Sequence, residues 1–165
     1  MKILFFVCGE GLGHASRGIA AGNALIKAGH DVVFAGYGYS KEHLENAGLK
    51  CVDISSEISL VGKAGMLDLR KSLLETLKKN SVINLHKLST LIRRQRPELV
   101  CSDSYMSAVI AAKNLKVKSF LIVNQTNPHY FFQNKGIGFE FVGKFVKVIA
   151  ENVFNMATKV LIADF

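Results

Sequence analysis

The chain has 165 residues, a formal net charge of +8 and 49% hydrophobic residues. That suits one ordinary domain with enough apolar material for a core, and it excludes a disordered tail. No run approaches the roughly 20 apolar residues of a membrane span, and the apolar stretch after Lys2 leads straight into glycines, without the small-residue cleavage site of a secretory signal.

The pattern opens with a strand over residues 3–7 and a glycine-rich turn. A helix over 16–28 follows, ending at Gly29. A second strand, 31–35, leads to a helix over 40–47, with Ser40 as its expected cap and Gly48 as its stop. A third strand is expected over 49–54. After a long loop, 55–67, leucines at helical spacing predict one long helix over 68–96, ended by Pro97. Strand four, 99–101, precedes an Ala-rich helix over 105–114, and strand five spans 119–123. A second long loop, 124–136, leads to a helix over 137–157 and a sixth strand over 159–162. The strands are short and rich in Val, Ile, Leu and Phe, as in buried parallel sheets.

Strict βα alternation predicts an α/β fold, a doubly wound, Rossmann-like parallel sheet with strand order 3-2-1-4-5-6. All of 1–165 is read as one domain. Because the chain stops directly after a strand, at Asp164-Phe165, a domain boundary is expected there. Both long loops follow strands, so both fall at the carboxyl edge of the sheet, where such folds bind ligands.

The net charge is uneven. Residues 63–96 hold nine basic side chains against Asp68 and Glu75, which accounts for seven of the eight net charges. Such a face attracts phosphates or an anionic membrane surface, or it is simply a solvated helix face. Cys8, Cys51 and Cys101 form no C-x-x-C pair and read as small apolar residues on strands in a reducing cytoplasm.

The stretch from Gly9 to Arg17, Gly-Glu-Gly-Leu-Gly-His-Ala-Ser-Arg, carries the most chemistry. Gly9, Gly11 and Gly13 allow a tight turn and a close backbone approach to a ligand, and the N–H groups of the following helix suit an anion. A packing turn is the plainer alternative. The loop lacks the Gly-Lys-Ser/Thr of a Walker loop. It also lacks the third glycine of a dinucleotide fingerprint, since His14 stands there, and strand two ends in Gly36-Tyr37 rather than in a ribose-binding carboxylate. NAD is therefore disfavoured. No residue group has metal-ligand spacing, and no metal or cofactor is expected.

In the usual winding, strands one and four are neighbours where the strand order reverses. That topology brings His14 and the Ser102-Asp103-Ser104 turn to one crevice, an imidazole with a carboxylate to orient it. The alternative is that each merely caps its own helix. His129, in the second long loop, is a further candidate for substrate contact. His30, His43 and His86 sit where capping or surface roles are ordinary.

The glycine-to-Arg17 stretch, with Ala28-Gly29-His30-Asp31-Val32, with Ser102-Asp103-Ser104 before an Ala-rich helix, and with strand five running into Asn124-Gln125, resembles the N-terminal half of a GT-B glycosyltransferase. The resemblance is to the inverting group that includes the MurG-like peptidoglycan N-acetylglucosaminyltransferases and the UDP-glucuronosyltransferases. It implies an acceptor-binding domain, with the nucleotide sugar held mainly by a C-terminal domain absent from this chain, and hence no activity for the domain alone. It implies His14 as catalytic base and Asp103 as its acidic partner, with Gly9, Gly11, Gly13, Arg17, Ser102, Asn124, Gln125 and His129 binding substrate. Arg17 departs from the family pattern, in which proline often follows the Gly-His pair. The expected partners are a nucleotide-sugar donor and a hydroxyl acceptor, with a lipid-linked acceptor in view, but no nucleic acid. The expected location is cytoplasmic, peripheral at the inner face of a membrane. The basic run beside Tyr130, Phe131, Phe132, Phe139, Phe141 and Phe145 motivates that last expectation. A non-catalytic partner or membrane-recruitment subunit of a two-chain glycosyltransferase is the other reading.

Overall fold

A computed structural model describes residues 1–63, 66–79, 81–133 and 135–163. Asp164 and Phe165, where the sequence places a boundary, lie outside the described residues.

The main strands are β1 (Lys2–Val7), β2 (Asp31–Gly36), β3 (Cys51–Asp53), β6 (Leu99–Asp103), β7 (Lys118–Val123) and β8 (Lys159–Ile162). They form a six-stranded sheet in the order β3-β2-β1-β6-β7-β8. Each neighbouring pair is parallel. This is the doubly wound sheet expected from the alternation. A two-stranded antiparallel ladder, β4 (Gly62–Lys63) with β5 (Met66–Leu67), lies inside the first long loop. Six α-helices are described: α1 (Leu12–Lys27), α2 (Gly38–Asn46), α3 (Leu69–Leu77), α4 (Ser81–Gln95), α5 (Met106–Asn114) and α6 (Ile137–Met156), with a 3₁₀ turn at Pro128–Phe132.

From Ile3 to Val7 β1 is apolar, because both of its faces are covered there. Leu4, Phe6 and Cys8 point into the layer made with Leu88 and Ile92 of α4 and with the alanines of α5. Ile3, Phe5 and Val7 point the other way, towards Phe34, Leu44 and the apolar residues of α1. Alternate residues of a strand face opposite sides, so a central parallel strand has no polar face. Full burial of each such Phe or Leu side chain stabilises the fold by about 1.5–3 kcal/mol. α1 approaches the sheet closely: a Cβ at Gly22 would lie 2.1 Å from the Phe34 ring.

Three expectations are corrected. The helix expected over 68–96 is two helices, α3 and α4. The leucine spacing runs on across the break, whereas Lys78-Lys79-Asn80-Ser81 is wholly polar, and Asn and Ser favour turns and caps over helix interiors. Ser40 is not the cap of α2. Tyr37 occupies that position, and Ser40 lies buried within the helix, its hydroxyl donating to the Cys8 carbonyl. α1 begins at Leu12 rather than at residue 16, so Gly13 and His14 belong to its first turn. Glycine's low helix propensity hides that turn in the sequence.

Candidate active site

β1 and β6 lie side by side in the register Val7↔Asp103. The Cys8 amide donates to the Asp103 carbonyl at 3.0 Å, so the chain leaves both strands at one level. This is the reversal point of the strand order, and the turns after β1, β6 and β7 meet above it.

The glycine turn is shaped by contact on one side and left open on the other. A Cβ at Gly9 would lie 2.2 Å from the Tyr37 carbonyl oxygen, so nothing larger than glycine fits. Gly11 caps α1 at φ 120, with no side-chain hydrogen bond to the helix amides. Nothing lies within 4 Å of a Cβ built at Gly13.

Asp103 is wholly buried. Its Oδ1 lies 2.8 Å from His14 Nδ1. Arg17 forks onto the same carboxylate, donating from Nε to Oδ2 at 2.6 Å and from Nη2 to Oδ1 at 2.6 Å. Its Nη1 donates to Asn124 Oδ1 at 2.7 Å, at the end of β7. An ionised carboxylate only accepts hydrogen bonds, so the His14 proton belongs on Nδ1 and the Nε2 lone pair is left for chemistry. Asp103 caps no helix: the N-cap of α5 is Tyr105, reached through Ser104 at φ 54.

The cap of α5 comes from elsewhere in the chain. Both carboxylate oxygens of Glu57 accept from its first amides, Met106 N and Ser107 N, each at 2.8 Å. The carboxylate end is enclosed, and that burial pushes the Glu57 carboxyl above its ordinary value against the lowering effect of those bonds. The loop carrying Glu57 is tied down at further points. The Tyr105 hydroxyl donates to the Ser55 carbonyl at 2.6 Å, and Leu60 N donates to Glu10 Oε2 at 3.2 Å. No sequence signal pointed to Glu57, because its partners lie about 50 residues away.

The other candidates divide. Asn124 joins the network through Arg17, and Gln125 follows it, half buried. Ser102 is fully buried, its hydroxyl donating to the Tyr105 carbonyl at 2.6 Å, so it does not reach the crevice surface. His129 packs against α6: a Cβ at Gly143 would lie 2.7 Å from its Nδ1, which is buried without a hydrogen-bond partner among the described residues. Burial pushes the Cys51 and Cys101 thiols up to about 12 and about 11, and raises Cys8 as well, so none presents a thiolate. No group of three or more possible metal ligands occurs among the described residues.

A six-stranded parallel sheet covered by helices on both faces, with a long helix returning to a last parallel strand, is the architecture of the N-terminal half of the GT-B fold. The whole chain, residues 1–165, matches the description "Glycosyl transferase family 1", and the protein belongs to that family. It is 46% identical over 165 residues to an "Uncharacterized glycosyltransferase" of Methanosarcina acetivorans, covering all of this chain and 44% of that one. The chain thus spans less than half the length of the curated relatives it matches. Its fold is similar to that of Acinetobacter baumannii MurG, with a TM-score of 0.60 at 13% identity over 96% of this chain and 40% of that one. It is also similar to the Streptomyces sp. SF2575 glycosyltransferase SsfS6 complexed with thymidine diphosphate, with a TM-score of 0.59 at 17% identity over 93% of this chain and 43% of that one.

Proposed function

We propose that this chain is the acceptor-binding half of an inverting glycosyltransferase whose donor is a nucleoside-diphosphate sugar. The observation that carries the reading is the 2.8 Å contact between His14 Nδ1 and the buried Asp103 carboxylate, beside a glycine turn at the switch point. In this reading His14 Nε2 takes the proton of the acceptor hydroxyl as that oxygen attacks the anomeric carbon of the donor. The bond from that carbon to the diphosphate oxygen breaks, and the nucleoside diphosphate leaves with the electron pair. Asp103 holds the ring and offsets the imidazolium charge formed on the way. The open turn at Gly11 and Gly13, with the N-terminus of α1, faces the departing diphosphate. The thymidine diphosphate bound by SsfS6 supports a nucleotide-sugar donor.

The acceptor is assigned an apolar or lipid-linked body. A cavity of about 200 Å³ between α3, the 3₁₀ turn and α6 is lined by Ile58, Leu60, Leu69, Leu73, Phe132 and Val146. Beyond it α6 exposes Ile137, Phe141, Phe145, Val148 and Ile149, at the spacing of one helical face. Lys144 stands exposed on the same helix, and Arg70 and Lys71 are exposed on α3. This combination suits a peripheral contact with anionic lipid. No helix among the described residues is long and apolar enough to cross a membrane. Of the aromatic residues named for lipid contact, the side chain of Phe131 lies outside the described residues.

The test uses the protein translated from its complete reading frame. It is incubated with UDP- and dTDP-linked hexoses and a panel of hydroxyl acceptors that includes polyprenyl-linked sugars, and nucleoside diphosphate release is followed. Release that depends on both substrates and is lost in His14→Ala supports the reading. Substrate-dependent release that His14→Ala leaves intact overturns the base assignment.

A further inference from the structure

We propose that Arg17 is a positioning residue, which sets the orientation of His14 by clamping Asp103, and that it is not a contact for the donor phosphates. The inference rests on the reading of His14 as base for its catalytic meaning, but its geometry stands apart from that reading.

Asp103 is 0% exposed. A carboxylate so enclosed needs a compensating charge, and a neutral imidazole supplies none. Arg17 supplies it, with both bonds of its fork at 2.6 Å. A two-point fork fixes the plane of a carboxylate, where a single bond leaves it free to turn. The third bond of the guanidinium, to Asn124, ties the clamp to β7. One side chain on α1 therefore links the ends of β6 and β7. His14 sits one turn earlier on the same helix, its Nδ1 3.2 Å from Arg17 Nη2. Since Arg17 Nη2 only donates, this neighbour offers Nδ1 no acceptor. Asp103 Oδ1 is the acceptor that holds the Nδ1 proton, and its position depends on Arg17. A diphosphate approaching Arg17 would have to displace charge-assisted bonds of 2.6 Å to a buried carboxylate, which argues against a phosphate-binding role. Lysine keeps the charge but cannot form the fork.

The experiment labels the histidines of the complete protein with ¹⁵N and reads the two ring nitrogens of His14, assigned by their loss in His14→Gln. The unsubstituted protein should show one neutral tautomer, with the proton on Nδ1 protected from solvent exchange. Arg17→Gln and Arg17→Lys should both convert His14 to a mixture of tautomers and lose that protected proton. In Arg17→Ala, added methylguanidinium should restore the single tautomer. Calorimetric titration with UDP and with dTDP should give affinities in Arg17→Gln close to those of the unsubstituted protein. The proposal is overturned if His14 keeps its single tautomer in Arg17→Gln and Arg17→Lys. It is equally overturned if Arg17→Gln weakens nucleotide binding by about tenfold or more, the cost expected for a lost charge-assisted contact, whatever the ring signals do. Should His14→Ala leave turnover intact, the base reading fails alone, because the tautomer measurement does not depend on turnover.

Discussion

His14 Nδ1 and Asp103 Oδ1 stand 2.8 Å apart although 89 residues separate them in the chain. The imidazole is thereby held with one nitrogen engaged and the other available. His14→Ala should lower turnover of the complete enzyme by about 10²–10⁴, the usual contribution of a general base. Asp103→Asn should lower it less, since an amide can still orient the ring but offers no charge. Steady-state rates, with circular dichroism to confirm folding, decide the matter; unchanged turnover in a folded His14→Ala variant would mean that His14 is not the base.

Gly9 and Gly13 make opposite predictions for one substitution. Gly9→Ala forces a Cβ to 2.2 Å from the Tyr37 carbonyl oxygen. Overpacking of this kind costs about 1–3 kcal/mol or more, which is roughly 2–12 °C in Tm at about 2–4 °C per kcal/mol. Gly13→Ala meets nothing within 4 Å and lies in a helix. Its Tm should hold or rise, because alanine is the better helix former by about 1 kcal/mol. If Gly13→Ala nevertheless raises KM for the donor, the residue is small to admit a ligand. An unchanged KM would mean that the donor does not need a small residue at this position.

The Glu57 cap should make itself felt in the pH dependence of stability. Its carboxyl is raised in the folded chain by burial, the largest influence on it. The folded state therefore binds this proton more tightly than the unfolded state does. Its contribution is fully present below the ordinary value of 4.5 and declines as the pH rises through the raised value. Glu57→Gln removes that titration, so its Tm should fall less steeply with rising pH over this window. Where Glu57 is ionised, Glu57→Gln should also lose about 0.5–2 kcal/mol of capping, since the amide nitrogen meets an amide donor. Differential scanning fluorimetry from pH 4 to pH 8 measures both; parallel Tm curves for the two proteins contradict the assignment.

The lipid contact has a direct assay. Sedimentation with phosphatidylglycerol vesicles at low salt should pull down the complete protein, phosphatidylcholine vesicles should not, and high salt should release it. Phe141→Ser with Phe145→Ser should weaken binding without lowering Tm, because these side chains are 74% and 61% exposed. Failure to bind either vesicle at low salt rejects the contact.

Much of the fold was legible because strand and helix periods differ and the parallel strands are uniformly apolar. Even the meeting of His14 with Asp103 followed from winding order alone. What escaped notice depended on distant partners. Arg17 reads as a substrate contact until the end of β6 is placed beside it and its fork onto Asp103 is visible. Glu57 reads as loop polarity until α5 arrives to be capped. The break between α3 and α4 was masked by leucines that keep helical spacing on both sides of it. Ser40 fits the composition of a cap but is drawn inside α2 by the carbonyl of Cys8.

The pairing of β1 with β6 also governs the order of events during folding. β1 and β2 can join within the first 36 residues, but β1 finds its other neighbour only at Leu99–Asp103. Closing so long a loop costs entropy before any contact repays it, and contacts of wide sequence separation slow folding. Until that seam closes, one edge of the most apolar strand in the molecule stays open, in the kind of species that aggregates. On the ribosome the glycine turn and His14 emerge early and wait for about ninety residues more before Asp103 and the strand that carries it are made. The pairing of His14 with Asp103 is therefore complete only once the sheet has closed.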